Sequence, residues 1–239
     1  MPEYRRPHHR LVSRALKSMD ASFLVRTECY FGGGTLLAMT LGEYRESRDI
    51  VFLCSSRVGF RSLRETVTDR SLGAIFRQSV DLAREVRADR DGIRTFLNVG
   101  NVPIKFEIIL EARIDLEGTI DKTLGIPTLS RECAIAEKFL ANADRGLDES
   151  TLSRDLVDLA FIAAHAGRPP LEEGMEISER AYGTAIRRSL RSSLEGFKGS
   201  RSRANAHLRS LGVEDTQTLR KGLQLLGRLV GEPKPRSKE

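Results

Sequence analysis

The pattern of hydrophobic and polar positions changes character about half-way along the chain. Residues 10–19, Arg-Leu-Val-Ser-Arg-Ala-Leu-Lys-Ser-Met, place apolar side chains at helical spacing. Cys29-Tyr30-Phe31 reads as a short strand breaking into a tight turn at Gly32-Gly33-Gly34, and Thr35-Leu36-Leu37-Ala38-Met39 opens a helix. After a polar stretch from Gly42 to Arg48 comes Asp49-Ile50-Val51-Phe52-Leu53-Cys54, an apolar run short enough for a buried strand. Residues 59–68 and 71–83 carry a helical pattern. Between Arg84 and Leu97, Asp91-Gly92 separates two alternating segments, the strongest hairpin signal in the chain. Pro103 to Ile114 and the residues after it continue as strands. From Ser130 onward the spacing predicts helices over 131–145, 150–166 and 172–195 and shorter ones beyond, with a break at Gly167 and Pro169-Pro170. This order predicts an α+β protein: a mixed β-sheet domain over 1–128, a helical domain over 129–231 joined near Pro127, and a disordered tail over 232–239.

Composition narrows the class without changing that outline. In 239 residues, 40% are hydrophobic and 30% charged, which suits a charge-laced globular protein and excludes disordered and fibrous classes. No run approaches the roughly 18 to 20 uncharged apolar residues of a spanning helix, and Met1-Pro2-Glu3-Tyr4-Arg5-Arg6 has no apolar signal segment. The expected location is the cytoplasm, with no membrane partner. Cys29, Cys54 and Cys133 are an odd number at scattered spacings, which argues against a disulfide framework or a zinc site. Cys54 and Cys133 read as small core hydrophobes. His8, His9 and His207 lack metal-ligand spacing, and His165 reads as a helix-end residue.

The net charge of +6 is unevenly placed. Residues 181–239 hold 13 Lys and Arg against 5 Asp and Glu, a net of +8, which leaves −2 for residues 1–180. Arg187, Arg188 and Arg191, followed by Lys198, Arg201, Arg203 and Arg209, recur at helix-like intervals. They form either a phosphate-facing stripe for RNA or a solvated helical face.

Candidate chemistry gathers in the first half. Three glycines at a strand end, with Thr35 at the start of the helix, let backbone amides approach an anion closely. Arg45-Glu46-Ser47-Arg48-Asp49 brings a carboxylate to the start of the next strand. Alternation in Lys105-Phe106-Glu107 puts a cation and an acid on one strand face, and Glu111 has the same parity.

Phe31-Gly-Gly-Gly-Thr-Leu-Leu-Ala, Arg45-x-Ser47-x-Asp49-Ile50-x-Phe52, Lys105-x-Glu107, Ala136-Glu137-Lys138 and Arg154-Asp155-Leu156-x-Asp158-Leu159 follow one another in order over residues 25–165. Together they resemble the nucleotidyltransferases of the AbiEii/AbiGii toxin type, within the polymerase-beta-like superfamily. The resemblance implies a nucleotidyltransferase fold, an NTP as co-substrate with Mg²⁺ or Mn²⁺, and transfer of a nucleotide to a tRNA or other RNA end or to a protein hydroxyl. It also implies a toxin of a toxin–antitoxin or phage-defence system, with a cognate antitoxin. By the same resemblance Gly33, Gly34, Thr35 and Ser47 would cradle the triphosphate. Asp49 would be the first metal-binding acid and Glu107 the third, binding metal or activating the attacking hydroxyl, with Lys105 orienting the site. Lys138 would neutralise the triphosphate, Arg145 would assist, and Asp155 and Asp158 match the last motif. Arg154 with Asp158 also has the spacing of an ordinary i,i+4 ion pair.

One departure stands out. The family's strand carries an Asp-x-Asp pair on one face, and here Val51 takes the second place. Loss of such an acid weakens metal binding, which leaves two expectations: an active enzyme held by one ion, or a catalytically impaired homologue acting by nucleotide or RNA binding.

Overall fold

A computed structural model describes residues 4–231; the tail expected over 232–239 lies outside them. The chain divides into two compact units, Met1–Ala134 and Ile135–Glu239.

The N-terminal unit is built on one seven-stranded mixed sheet. In chain order its elements are α1 (Pro7–Ser18), α2 (Ala21–Arg26), β1 (Cys29–Gly32), α3 (Gly33–Thr40), β2 (Ile50–Cys54), α4 (Arg57–Thr66), β3 (Leu82–Ala88), β4 (Gly92–Val99), β5 (Val102–Leu110), β6 (Gly118–Ile120) and β7 (Pro127–Leu129). The sheet order is β3-β4-β5-β2-β1-β7-β6. β2 runs parallel to β5, with Val51 opposite Glu107, and antiparallel to β1, with Gly32 opposite Val51. The Asp91-Gly92 hairpin is present, and Gly100 and Asn101, both at positive φ, make the next turn into β5.

Alternation sorts the side chains of the central strands. Phe31, Phe52 and Phe106 are fully buried on one face, their rings in adjacent tilted pairs with centroids 5.5 and 6.1 Å apart. Phe76 adds a fourth ring, 5.8 Å from Phe106. The opposite positions, Val51, Lys105 and Glu107, are only partly covered.

Residues 71–83 are not the helix their pattern predicts. Gly73 is at φ +51°, where a methyl group would collide with the Thr66 carbonyl, and Phe76 pairs as an isolated bridge with Met19. Only Gly73–Ile75 makes a 3₁₀ turn before β3 begins at Leu82. α2 was not readable from the pattern and is capped by Asp20, whose carboxylate accepts from the Phe23 N–H at 2.8 Å.

The C-terminal unit is helical. α5 (Arg131–Arg145) leads into it, followed by α6 (Arg154–Ala166), α7 (Arg168–Tyr182), α8 (Ala185–Gly199), α9 (Arg201–Leu211) and α10 (Thr216–Gly231). The single helix expected over 172–195 is two, because Gly183 at φ +58° ends α7. Gly167 and the following prolines mark the α6–α7 junction as expected. α6, buried along nearly its whole length, packs on α10 with Gly222 against the Ala160 backbone. Gly222→Ala should therefore destabilise the protein by about 1–3 kcal/mol, through a methyl group with nowhere to go. Chemical denaturation of the two forms measures that difference.

Candidate active site

The glycine turn is held by a small hydroxyl network. Gly33 sits at φ +70°, a conformation that suits glycine, and a methyl group there would lie 3.4 Å from Val51 Cβ. The turn therefore stands directly over β2. Thr35 Oγ1 donates to the Asp49 carbonyl at 2.5 Å and takes a hydrogen bond from Ser47 Oγ at 2.8 Å. Thr35 is 2% exposed, so its hydroxyl fixes the frame while the partly exposed Gly33 and Gly34 present the start of α3.

Ser47 is fixed in turn by a residue whose role no spacing announced. His9, fully buried on α1, accepts the Ser47 N–H at Nε2 (3.3 Å) and donates from Nδ1 to Glu43 Oε1 (2.8 Å). That pairing requires the neutral ring. Glu43 also takes the Arg5 and Arg6 N–H groups at 2.7 and 3.0 Å. Burial works against charge on Glu43, but these N–H bonds and His9 outweigh it and hold its pKa below the usual carboxylate value. Burial lowers the His9 pKa, against the pull of Glu43.

The sheet supplies the acids. Alternation puts Asp49 on the Val51 side of β2, and on β5 the side chains of Lys105 and Glu107 share that face. Lys105 Nζ lies 2.7 Å from Glu107 Oε2, and Arg94 Nε lies 3.7 Å from Oε1. Glu111 departs from this set. It lies past the end of β5, 3% exposed, and is bound by Arg113 Nη2 at 2.6 Å and Nε at 2.9 Å.

The last two motifs meet within the C-terminal unit. The buried Lys138 ammonium contacts Asp155 Oδ1 at 2.8 Å and Asp158 Oδ2 at 2.7 Å. Arg145 Nε reaches Asp155 Oδ2 at 2.7 Å. Burial opposes the Asp155 charge, but Lys138 and Arg145 together drive its pKa far below the carboxylate range. Asp155 stands in the first turn of α6, entered through Leu152 and Ser153, both in the left-handed conformation. Removing one partner from such a cluster costs about 3–5 kcal/mol because a buried charge is left uncompensated.

The arginines expected to form an RNA stripe are differently employed. Arg187 donates to the Leu229 carbonyl at 2.9 Å and pairs with Glu179 at 2.8 Å; Arg191 donates to the Val230 carbonyl at 2.8 Å. They close the C-terminal end of α10. Arg188 is exposed on α8.

The sequence matches the family model described as "Nucleotidyl transferase AbiEii toxin, Type IV TA system" over residues 14–222. The chain belongs to the AbiEii nucleotidyltransferase toxin family. The family is a type IV toxin–antitoxin one, which suggests an antitoxin partner. No curated protein matches. Among solved structures, the AbiEii chain is similar to "putative nucleotidyltransferase from H. pylori" (17% identity, 96% of each chain, TM-score 0.54). It is also similar to JHP933 from Helicobacter pylori (19% identity, 93% of this chain and 90% of that one, TM-score 0.54). A third is MenT4, the nucleotidyltransferase toxin Rv2826c of Mycobacterium tuberculosis H37Rv (18%, 95% and 85%, TM-score 0.48). The first two show the shared fold. No helix among the described residues of this AbiEii chain is long and apolar enough to cross a membrane.

The His9 bracket makes a pH prediction. With the folded-state pKa below the ordinary 6.5, the unfolded chain binds more protons between the two values, so stability is full above 6.5 and is lost as pH falls toward the folded value. His9→Gln should flatten this part of the curve. Denaturation at about pH 7.5 and about pH 5.5 reads the difference, and equal pH sensitivity in both proteins would contradict it.

Proposed function

We propose that the N-terminal unit is a nucleotidyltransferase site that takes an NTP with one divalent cation and passes the nucleotide to an acceptor hydroxyl. The observation that carries this reading is the placement of the Gly33-Gly34 turn, Asp49, Lys105 and Glu107 over three adjacent strands on one sheet face. Amides at the start of α3 suit phosphate oxygens. Lys105, two-fifths exposed, can turn from Glu107 toward an anion, freeing the carboxylate to accept the proton of an attacking hydroxyl.

The donor set fits a cation only in company with substrate. Among the described residues no group of three or more His, Cys, Asp or Glu side chains is placed to hold a metal ion, and Val51 stands where a second strand acid would be. Mg²⁺ is commonly held by one or two carboxylates together with substrate phosphates and water, and Asp49 with Glu107 meets that need; Mn²⁺ suits the same oxygens. When bound, the ion supplies neutralisation of charge on the phosphate oxygens. The Lys138–Asp155–Asp158 cluster we assign to holding α5 on α6, since its ammonium already has two carboxylate partners.

The missing acid at Val51 also favours a second reading, a protein that binds nucleotide without turning it over. Incubation with each labelled NTP, Mg²⁺ or Mn²⁺, total RNA and lysate separates the two. The first reading expects label in an RNA or protein acceptor. Asp49→Ala should lower transfer by at least about 100-fold, and it leaves intact the backbone carbonyl that Thr35 holds. Val51→Asp should raise metal affinity and rate. Nucleotide binding with no transfer in the wild type or in Val51→Asp would support the second reading.

A further inference from the structure

The same sheet face continues beyond the acids onto β4 and β3, where its side chains have no part in the scheme above. Phe96 on β4 lies directly opposite Lys105 on β5 and, on its other side, opposite Arg84 on β3. The Arg84 guanidinium carbon is 4.5 Å from the Phe96 ring centroid, within cation–π range. In the neighbouring row Arg94 lies opposite Glu107 and Arg87 opposite Arg94. Three positions on β3 from Arg84 to Arg87 span two on β4, so β3 bulges and both arginines come to the face shared with Phe96 and Arg94. Gly92 completes the arrangement, because a side chain there would strike the Arg94 guanidinium, which instead lies over the glycine and reaches Asp89 at 3.0 Å.

Four cations and one aromatic ring thus extend from Glu107 to the sheet edge, about 10 Å across three strands. Arg84 and Arg87 are exposed, and Phe96, Arg94 and Lys105 are partly so. Flat rings on an open sheet, flanked by Arg and Lys, suit unpaired bases, which stack on aromatic and guanidinium planes while the cations meet phosphates. Of the basic helices that suggested RNA from sequence, Arg187 and Arg191 are held by carbonyls at the end of α10, while Arg188, Lys198, Arg201 and Arg209 stay exposed.

We propose that the open face of β3, β4 and β5 is a track for single-stranded nucleic acid, with Arg84 and Phe96 stacking a base and Arg87, Arg94 and Lys105 meeting phosphates. The inference rests on the nucleotidyltransferase reading and adds to it a surface, one that leads a strand toward Asp49 and Glu107.

The test reads RNA binding without nucleotide or metal, so it stands apart from turnover. The full chain is titrated against a fluorescein-labelled 12-nucleotide single-stranded RNA, and anisotropy is followed over a range of salt. Phe96→Leu, which keeps apolar bulk and removes the ring, should weaken binding about tenfold, and Phe96→Tyr should retain it. Arg84→Gln with Arg87→Gln should weaken binding and reduce the salt slope by up to about 0.7, the one phosphate contact that Arg87 makes. Arg57→Gln with Arg61→Gln, on exposed positions of α4, should leave both affinity and slope unchanged. Circular dichroism confirms folding of each variant. The proposal is overturned if the wild type does not bind the RNA, or if Phe96→Leu binds as tightly as the wild type. It is also overturned if the α4 pair weakens binding as much as the β3 pair, the mark of a charge-only surface such as an acidic protein would use. A chain that transfers label but shows any of these outcomes loses this inference alone; loss of label transfer with the track intact counts against the nucleotidyltransferase reading alone.

Discussion

The hydroxyl of Thr35 is the point through which the candidate site is assembled. It bonds the carbonyl of Asp49 and receives the hydroxyl of Ser47, so one buried group joins the first turn of α3, the loop before β2 and the start of that strand. A mismatch of even an ångström among these segments would leave buried polar atoms unpaired, at about 1–3 kcal/mol each. The frame extends through His9 to Glu43 and the N–H groups of Arg5 and Arg6. The geometry of the carboxylate at the start of the central strand is thereby set from His9 and the arginines before it, some forty residues away.

Much of this unit could be read from sequence, since its signals are local. The glycine turn, the apolar run of β2 and the Asp91-Gly92 hairpin each depend on neighbouring residues, and period-two alternation is enough to put Lys105 and Glu107 on one face. What could not be read is non-local or mimics another element. Residues 71–83 have the apolar spacing of a helix, but Gly73 at positive φ and the bridge of Phe76 to the distant Met19 leave only a single 3₁₀ turn there. His9 and Glu43 meet across 34 positions without any spacing rule. Arg187 and Arg191 recur as a surface stripe would, and only the arrival of α10 some forty residues later shows that they are helix caps.

Charge balance separates the two units physically. On the sheet face Glu107 has basic neighbours on its own and the adjoining strand, which remain partly open to solvent and can change partners. In the helical unit Lys138, Asp155 and Asp158 are all but sealed from solvent, so exchange of partners would expose a bare charge in a low-dielectric interior. The first arrangement suits a site that must accept an anion, the second a joint that must not open. Leu152 and Ser153, held in left-handed conformations at the entry to α6, store roughly 1–3 kcal/mol each.

The bulged strand β3 has a consequence for assembly in a crowded solution. It is an outer strand of the seven-stranded sheet, and an outer strand with a regular ladder invites pairing with another chain. Its two register shifts interrupt the free backbone groups, and exposed Arg84, Glu85 and Arg87 surround them with charge. At the other margin β6 is only three residues long. Neither margin offers an uninterrupted template, so the sheet that exposes a working face is shielded from edge-on stacking into fibrils.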